Sequence, residues 1–355
     1  MTAYYKEITG LRAWAVGAVL LCHIASFSDP SWAINKILWR GWVGVDLFFV
    51  ISGFLITEIL LRNKASKNYF TVFYGRRALR IWPLYFLCMI AGYLLVIAID
   101  GRVAEYTRNL LFYVLFIQNL FNEPPGIRFV DVSWSLMIEE QFYLVWPLLV
   151  YFFSSANILR LSFITLLALP VARFFALRHG MDPHDIYVNT FFHSDGLAAG
   201  TAFAIIRRDK FTHKKLEAFG RVAPFLLLPL LIGSFIWSTP ADQGGNPLSF
   251  TVIALTALCL LVTSLSDNCP SLLRKALLSP VAQFIGEISY GIYLLQRFAE
   301  HTAAAICKPL AGSFWIHYVA FSVTFIFLSI AVAKLSWHFF EQPILRYKRL
   351  FNYKF

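Results

Sequence analysis

The first apolar run of the chain, Leu11 to Phe27, carries two side chains that could do chemistry, Arg12 and His23. A helix would place residues at this spacing on one face, roughly 16 Å apart along the axis. Histidine titrates near neutral pH and is the side chain best suited to act as a general base. The alternatives are a structural histidine bonded to a neighbouring helix and an arginine that anchors the helix end.

A carboxylate in the second apolar run could be the partner of His23. Asp46 and Gly53 share one face of a helix, and the small residues of GVDLFFVISG would allow a neighbouring helix to approach closely. If the first two helices run antiparallel, Asp46 lies near the depth of His23, where a carboxylate would fix the tautomer and stabilise an imidazolium. The alternative is an aspartate near the outer end of its helix.

A third cluster is cationic and suits phosphate groups. Arg76 and Arg80 are four residues apart, with Arg77 between them, and a helix would stack the first two on one face. Paired guanidinium groups suit a polyanionic donor such as CoA. The competing explanation is the excess of cations in cytoplasmic loops, or binding of anionic lipids.

A fourth polar segment, SWSLMIEEQFY, opens an apolar run at Ser133 and Trp134. Ser135 and Glu139 are one helical turn apart, and adjacent glutamates in an apolar helix are expected to line a polar cavity. The alternative is stabilisation of the helix N-terminus by a serine cap and acidic residues. Further along the chain, the polar residues His193 and Gln296 lie in apolar surroundings, and each alone is a weak signal.

The composition requires that membrane helices position these groups. Of 355 residues, 58% are hydrophobic and 14% are charged, and the mean hydropathy is +0.63, whereas an ordinary globular chain carries roughly 25% charged residues. The net charge of +11 comes from cations beside apolar runs, which is typical of cytoplasmic loops and argues against nucleic-acid binding. The five scattered cysteines predict neither disulfides nor a metal site, and the first run lacks the pattern of a cleavable signal peptide.

The apolar runs predict an all-α, polytopic transmembrane helix bundle of about ten spanning helices. The basic loops 62–80 and 207–221 should both face the cytoplasm, which requires an even number of crossings between them. Because the run from Leu110 to Phe121 is too short to span comfortably, we expect it to be a re-entrant or partial segment. Both termini are then cytoplasmic, and the chain forms one membrane domain. The candidate spans are Leu11–Phe27, Trp42–Leu61, Leu79–Ile99, Leu110–Phe121, Trp134–Phe153, Leu159–Leu177, Thr190–Ile206, Val222–Ser238, Phe250–Ser266, Val281–Ile306 and Phe314–Phe340.

Six blocks of this sequence, in order, resemble the membrane acyltransferase-3 family, whose members O-acylate envelope glycans and other acceptors. The resemblance covers essentially the whole chain. The blocks are Gly10-Leu11-Arg12 with His23, GVDLFFVISGFLI, FYGRRALRIWPLY, SWSLMIEEQFYLVWP, GEISYGIYLL and FFEQPILRY.

The resemblance implies a ten-helix bundle that uses cytoplasmic acetyl-CoA and no metal. It assigns the essential histidine to His23, the arginine before it to Arg12, and the arginine motif tied to acyl-CoA to Arg77 and Arg80. Two departures concern the acceptor pocket. Gln296 stands where the family often has histidine, and His193 stands where it often has arginine. The remaining matches to motif positions are Asp46, Ser133, Ser135 and Glu139.

Together these observations predict an integral membrane O-acetyltransferase of the bacterial inner membrane. CoA phosphates would bind Arg76, Arg77 and Arg80, and the pantetheine arm would pass Arg12 and bring the thioester to His23. Asp46 or Glu139 would orient His23, which would deprotonate a sugar hydroxyl or carry the acetyl group itself. Ser133, Trp134, Ser135, His193 and Gln296 are the predicted acceptor-binding residues.

Several properties are left open by the sequence. The acceptor could be O-antigen, exopolysaccharide, capsule or a lipid-linked oligosaccharide, on either side of the membrane. Some relatives carry a soluble C-terminal domain, whereas we expect this chain to act alone or with a separate partner. The alternative function is a transporter or flippase, whose buried charges would serve substrate movement; against it, the sequence has no inverted repeat.

Overall fold

The chain is described here from a computed structural model. The structure describes residues 5–27, 33–121, 126–208, 245–310 and 314–355, together with 222, 224–229 and 232–233. All regular secondary structure in these ranges is helical, which confirms the all-α prediction. The helices are α1 (Lys6–Ala25), α2 (Ala33–Leu38), α3 (Gly44–Asn63), α4 (Tyr69–Asp100), α5 (Val103–Val114), α6 (Gln118–Phe121), α7 (Trp134–Phe152), α8 (Ser155–Arg178), α9 (Pro183–Val188), α10 (Asp195–Ile206), α11 (Ser249–Leu265), α12 (Ser271–Leu277), α13 (Pro280–Glu287), α14 (Ser289–Cys307), α15 (Phe314–Ser336) and α16 (Gln342–Leu345).

Several of these helices are long and apolar enough to cross a bilayer. Five helical stretches meet that criterion within the described ranges, and α10 and α11 are shorter apolar helices. Large apolar side chains point away from the protein on these helices: Leu167 of α8 is 76% exposed and Phe327 of α15 is 67% exposed. Hydrocarbon rather than water suits such surfaces, so the protein is a multi-pass membrane protein. The number of crossings stays a prediction.

Three predicted spans are divided or shortened in the structure. The run Val281–Ile306 is divided into α13 and α14, which meet at Ile288. The short run Leu110–Phe121 is divided into α5 and α6 around Phe116, which has a φ of 57°. The run Thr190–Ile206 becomes helical only at Asp195. About half of the predicted span Val222–Ser238, including residues 234–238, lies outside the described residues.

Glycines bring the central helices into direct backbone contact. A Cβ on Gly53 of α3 would lie 2.2 Å from the carbonyl oxygen of Leu197, and one on Gly200 of α10 would lie 2.1 Å from that of Val50. Such distances leave no room for a side chain at either position. The backbones of α3 and α10 are therefore in direct contact at these glycines. This confirms the predicted role of the small residues in the second run and fixes the α3 residues that face the interior.

Candidate active site

Two adjoining cavities lie inside the helix bundle. The arginine cavity, of about 890 Å³ including its open mouth, is lined by Arg12, Arg77, Arg80 and Glu139 among others. The histidine cavity, of about 1670 Å³ including its open mouth, is lined by His23. Val45 and Tyr293 belong to the walls of both cavities. The predicted cationic cluster and the predicted base are therefore neighbours, separated by a thin partition.

Cationic side chains outnumber carboxylates in the wall of the arginine cavity. Arg12 enters it from α1, while Arg77 and Arg80 enter from α4, where they are three residues apart and share one helix face. The Arg80 guanidinium lies over the rings of Tyr290 and Trp337, at 5.7 and 5.3 Å from their centroids. In the described part of the chain, none of the three arginines forms an ion pair within 4.0 Å, and Glu139 is the carboxylate that lines the cavity. Three guanidinium groups against one carboxylate suit a polyanion such as a phosphate group.

Arg76 does not belong to this cavity, contrary to the sequence prediction. Its Nε donates to the carbonyl oxygen of Phe351 at 2.7 Å, its Nη2 donates to Oδ1 of Asn352 at 3.2 Å, and its guanidinium lies over the ring of Tyr353. The one-residue offset from Arg77 turns its side chain toward the C-terminal segment. Arg76 is therefore a structural contact between α4 and residues 351–353.

Glu139 lies among the arginines and does not reach His23. Its Oε1 accepts a hydrogen bond of 2.5 Å from the Ser52 hydroxyl, which in turn accepts from Tyr143 at 3.2 Å. Ser133 provides no side-chain cap for α7, because its hydroxyl donates to the carbonyl of Val130. The alternative explanation of this segment, a stabilised helix N-terminus, is therefore not what the structure shows for Ser133.

His23 has a carboxylate partner, and that partner is Glu300. The Nδ1 atom of His23 lies 3.2 Å from Oε2 of Glu300, and the His23 side chain is 20% exposed toward its cavity. Since an ionised carboxylate only accepts hydrogen bonds, Nδ1 carries the proton and Nε2 is left with its lone pair free to act as a base. Arg297 donates to the same Glu300 oxygen at 2.6 Å and to Oδ2 of Asp131 at 2.8 Å. Glu300 is thus held between His23 of α1 and Arg297 of its own helix, and Arg297 is fixed in turn by Asp131.

The predicted pair between His23 and Asp46 is wrong. Oδ1 of Asp46 lies 2.9 Å from Nε2 of His193, and the other ring nitrogen of His193 contacts the carbonyl of Tyr187 at 2.6 Å. Both side chains are fully buried, and the His193 ring is stacked between Trp134 and Phe250. Both are therefore part of the packing between α3 and the segment before α10, and neither the catalytic role predicted for Asp46 nor the acceptor role predicted for His193 fits.

The other predicted acceptor residues are divided between the two cavities and the core. Trp134 lines the histidine cavity, as an acceptor-binding residue should. Ser135 lines the arginine cavity, where its hydroxyl lies 2.6 Å from that of Tyr293. Ser133 and Gln296 are completely buried, and neither lines either cavity, so the prediction that they contact the acceptor does not fit this arrangement.

The sequence did contain a signal for the residues that were missed. Arg297 and Glu300 are charged residues inside the predicted span Val281–Ile306, which is the same signal that singled out Arg12 and His23. Tyr293 gave no such signal, because tyrosines are abundant in this chain. Among the described residues, no three His, Cys, Asp or Glu side chains are grouped closely enough to hold a metal ion.

The fold and the cavities define a polytopic membrane protein in which a histidine–carboxylate pair adjoins an arginine-lined cavity. Residues 5–334 match the model of the acyltransferase-3 family, described as an acyltransferase domain. The chain belongs to this family.

Curated relatives cover nearly all of this chain. It is 28% identical over 367 residues to the putative peptidoglycan O-acetyltransferase YrhL of Bacillus subtilis and 28% identical over 371 residues to the peptidoglycan O-acetyltransferase OatA of Listeria monocytogenes. It is 26% identical over 365 residues to the O-acetyltransferase OatA of Staphylococcus aureus. Each alignment covers 96% of this chain but 55%, 56% and 57% of the respective relative, so the chain spans about half the length of the curated relatives it matches. No solved structure matches the chain significantly.

Proposed function

We propose that this protein is a membrane O-acetyltransferase that moves an acetyl group from acetyl-CoA to a hydroxyl of a carbohydrate. The observation that carries the proposal is the pair of adjoining cavities, one with three arginines and the other with His23 held by Glu300. Such an arrangement brings a phosphorylated donor and a general base to opposite sides of one partition. Membership of the acyltransferase-3 family favours this enzyme over the glycan transporter that the sequence alone left open.

The donor is assigned to the arginine cavity. The diphosphate and the 3′-phosphate of CoA are the anions that Arg12, Arg77 and Arg80 would bind, because guanidinium groups hold phosphate oxygens through paired, charge-assisted hydrogen bonds. Arg12 and His23 share α1, and their spacing of roughly 16 Å along the helix suits an extended pantetheine arm. The thioester would then lie close to Tyr293 and Val45.

The acetyl transfer needs one base and no metal. Nε2 of His23 takes the proton from the sugar hydroxyl while the oxygen attacks the thioester carbonyl, and a C–O bond forms. Collapse of the tetrahedral intermediate breaks the C–S bond, and the CoA sulfur leaves with the proton that His23 returns. Glu300 keeps the imidazole in the productive tautomer and stabilises the imidazolium that forms transiently.

The acceptor is assigned to the histidine cavity. Its wall combines aromatic rings with side-chain amides, which suits a sugar because rings cover the apolar face of a pyranose while amides bond its hydroxyls. The Bacillus and Listeria relatives carry peptidoglycan in their names, so peptidoglycan joins O-antigen, exopolysaccharide, capsule and lipid-linked oligosaccharide as candidates. The aromatic and amide residues in this wall include Trp39, Trp42, Trp134, Tyr187, Asn109, Gln118 and Asn119.

The proposed location is the bacterial inner membrane, with both termini in the cytoplasm. The cationic residues of the arginine cavity lie near the cytoplasmic ends of their helices in this orientation, where acetyl-CoA is available. The proposal rests on the excess of Lys and Arg in the predicted cytoplasmic loops.

The function is tested by following radiolabelled acetyl from acetyl-CoA into glycan. Membranes that contain the protein are supplied with each candidate acceptor, and membranes without it are the control. We expect label on one glycan class, removed by mild alkali as an ester would be. Absence of ester-linked label with every acceptor, together with uptake or export of one of them, would replace the enzyme with the transporter.

Arg80→Ala should weaken donor binding and leave the chemistry nearly intact. Loss of a hydrogen bond between charged groups costs about 1.5–3 kcal/mol, so we expect KM for acetyl-CoA to rise at least about tenfold with kcat within a few-fold of wild type. The matched control is Arg160→Ala, since Arg160 is an exposed arginine that bonds only Asn157 among the described residues. An unchanged KM in Arg80→Ala would remove the donor from this cavity.

Glu300→Gln should slow the reaction without weakening the binding of either substrate. Glutamine keeps the shape of Glu300 but lacks the charge that stabilises the imidazolium and selects the tautomer of His23. We expect kcat to fall by at least about tenfold with both KM values nearly unchanged, and Glu300→Asp to recover part of the loss. A change in KM alone would make Glu300 a residue of acceptor binding instead.

A further inference from the structure

The partition between the two cavities has a specific construction. Among the described residues that line them, the arginine and histidine cavities share Val45, at the start of α3, and Tyr293, in the second turn of α14. Consecutive residues of α7 lie on either side of it, since Trp134 faces the histidine cavity and Ser135 faces the arginine cavity. The polar atom of this partition is therefore the Tyr293 hydroxyl.

Tyr293 is fixed across the partition by hydrogen bonds at its tip. Its hydroxyl donates to the carbonyl oxygen of Val132 at 2.8 Å and lies 2.6 Å from the Ser135 hydroxyl. Its ring contacts that of Phe48 edge-on, with centroids 6.1 Å apart. The bond to Val132 is to the backbone, and the Ser135 hydroxyl can rotate. The ring can therefore leave this position by losing its contacts to Val132 and Ser135, without disturbing the helices themselves.

A protein that holds a thioester beside a water-accessible cavity must exclude water from the thioester. The histidine cavity has an open mouth and polar walls, so water reaches His23 in the absence of acceptor. Water activated by His23 would hydrolyse the donor, because its oxygen would form a C–O bond with the acetyl carbon while the C–S bond breaks, giving acetate and CoA thiol. Closure of an active site against water is a recognised means of preventing this side reaction.

We propose that Tyr293 is the positioning residue that separates donor from acceptor, closing the arginine cavity against water from the histidine cavity and moving aside only when an acceptor fills the histidine cavity. The consequence of this separation is protection of the thioester, and that part of the proposal rests on the proposed function. Its structural half, that Tyr293 is the barrier between the two cavities, is independent of the reaction. Ser135 then acts as the latch that holds the hydroxyl in the closed position.

The barrier is tested first by access of a thiol reagent, without any assay of activity. All five native cysteines are buried, and only Cys22 among them lines either cavity, so Cys22→Ala is the background. Leu55→Cys marks the arginine cavity and Ser26→Cys marks the histidine cavity. A membrane-impermeant methanethiosulfonate is added to right-side-out or to inverted membrane vesicles.

We expect each marker to react from one side only, and the two from opposite sides, while Tyr293 is present. In the Tyr293→Ala background, Leu55→Cys should react from both sides, at least tenfold faster than before from the side that reaches Ser26→Cys. Tyr293→Phe keeps the ring but loses the bonds to Val132 and Ser135, so we expect a smaller rise than in Tyr293→Ala. Tyr151→Ala, at a tyrosine that lines neither cavity, should change nothing. Reaction of Leu55→Cys from both sides with Tyr293 in place, or from one side only without it, overturns the proposal.

The consequence is tested by the ratio of acetate released to acetyl transferred. In Tyr293→Ala we expect hydrolysis of acetyl-CoA without acceptor to rise at least tenfold above wild type, and transfer with acceptor to fall. If Tyr293→Ala allows reagent access from both sides but leaves the ratio of released acetate to transferred acetyl unchanged, Tyr293 is the barrier but does not protect the thioester. Absence of transfer in wild type would count against the proposed function alone, since the access measurement does not depend on it.

Discussion

Replacing His23 with alanine should lower acetyl transfer by about 10²- to 10⁴-fold, the usual contribution of a general base. Its Nε2 is placed in the wall of the histidine cavity to accept the hydroxyl proton, since Nδ1 is engaged with Glu300. Binding of acetyl-CoA should be unchanged, because the arginines that hold it line the other cavity. The rate is measured with the acetyl label, and donor binding by calorimetry on protein purified in detergent.

His179→Ala is the matched control for this substitution. His179 follows the end of α8 and lies outside both cavities, so its loss should leave the rate within a factor of two or so of wild type. Trapping of acetyl on His23 in the absence of acceptor would replace base catalysis with a relay through the histidine, and the loss in His23→Ala would then be complete. A rate in His23→Ala equal to that of wild type would remove His23 from the chemistry.

The helical fold and the functional helices could be predicted from the sequence, because both depend on local pattern. Runs of apolar residues predict helices that span a membrane, and charged residues within them predict an interior site. This pattern predicts interior positions for Arg12, His23 and Glu139, and in the structure each lines one of the two cavities. The family resemblance rests on the same local blocks and is confirmed by the match over residues 5–334.

The pairing of these side chains could not be predicted, because it depends on how helices distant in sequence meet. Asp46 and Glu300 are both carboxylates that could pair with His23. Glu300 is the partner because α14 packs against α1 and brings its carboxylate to the imidazole. Because α3 contacts α10 closely at Gly53, Asp46 lies beside His193 and forms its hydrogen bond there instead. The prediction for Arg76 is wrong for a related reason. Helical spacing places Arg76 on the face of Arg80, but the spacing does not reveal that the C-terminal segment packs there and binds it.

Arg173→Ala should be the most destabilising single substitution among those considered, although Arg173 lies in neither cavity. Its guanidinium is fully buried and binds both carboxylate oxygens of Asp195, at 2.7 and 3.2 Å. It also donates to the Thr251 hydroxyl and to the carbonyls of Phe192 and Pro247. Removing it leaves the Asp195 charge buried without a counter-ion, which costs about 3–5 kcal/mol.

The cost should appear as a fall in Tm in detergent on the order of 10 °C, or as loss of monodisperse protein. Arg178→Ala, at an exposed arginine on the same helix, is the control and should leave Tm within a degree or two. Because an ion pair contributes less than the charge left behind costs, replacing Arg173 and Asp195 together by leucine should recover most of the lost stability. Recovery would show that α8, α10 and α11 are joined by a replaceable structural contact. Continued loss of transfer in a stable double variant would instead connect this pair to the reaction, through the loop that carries His193.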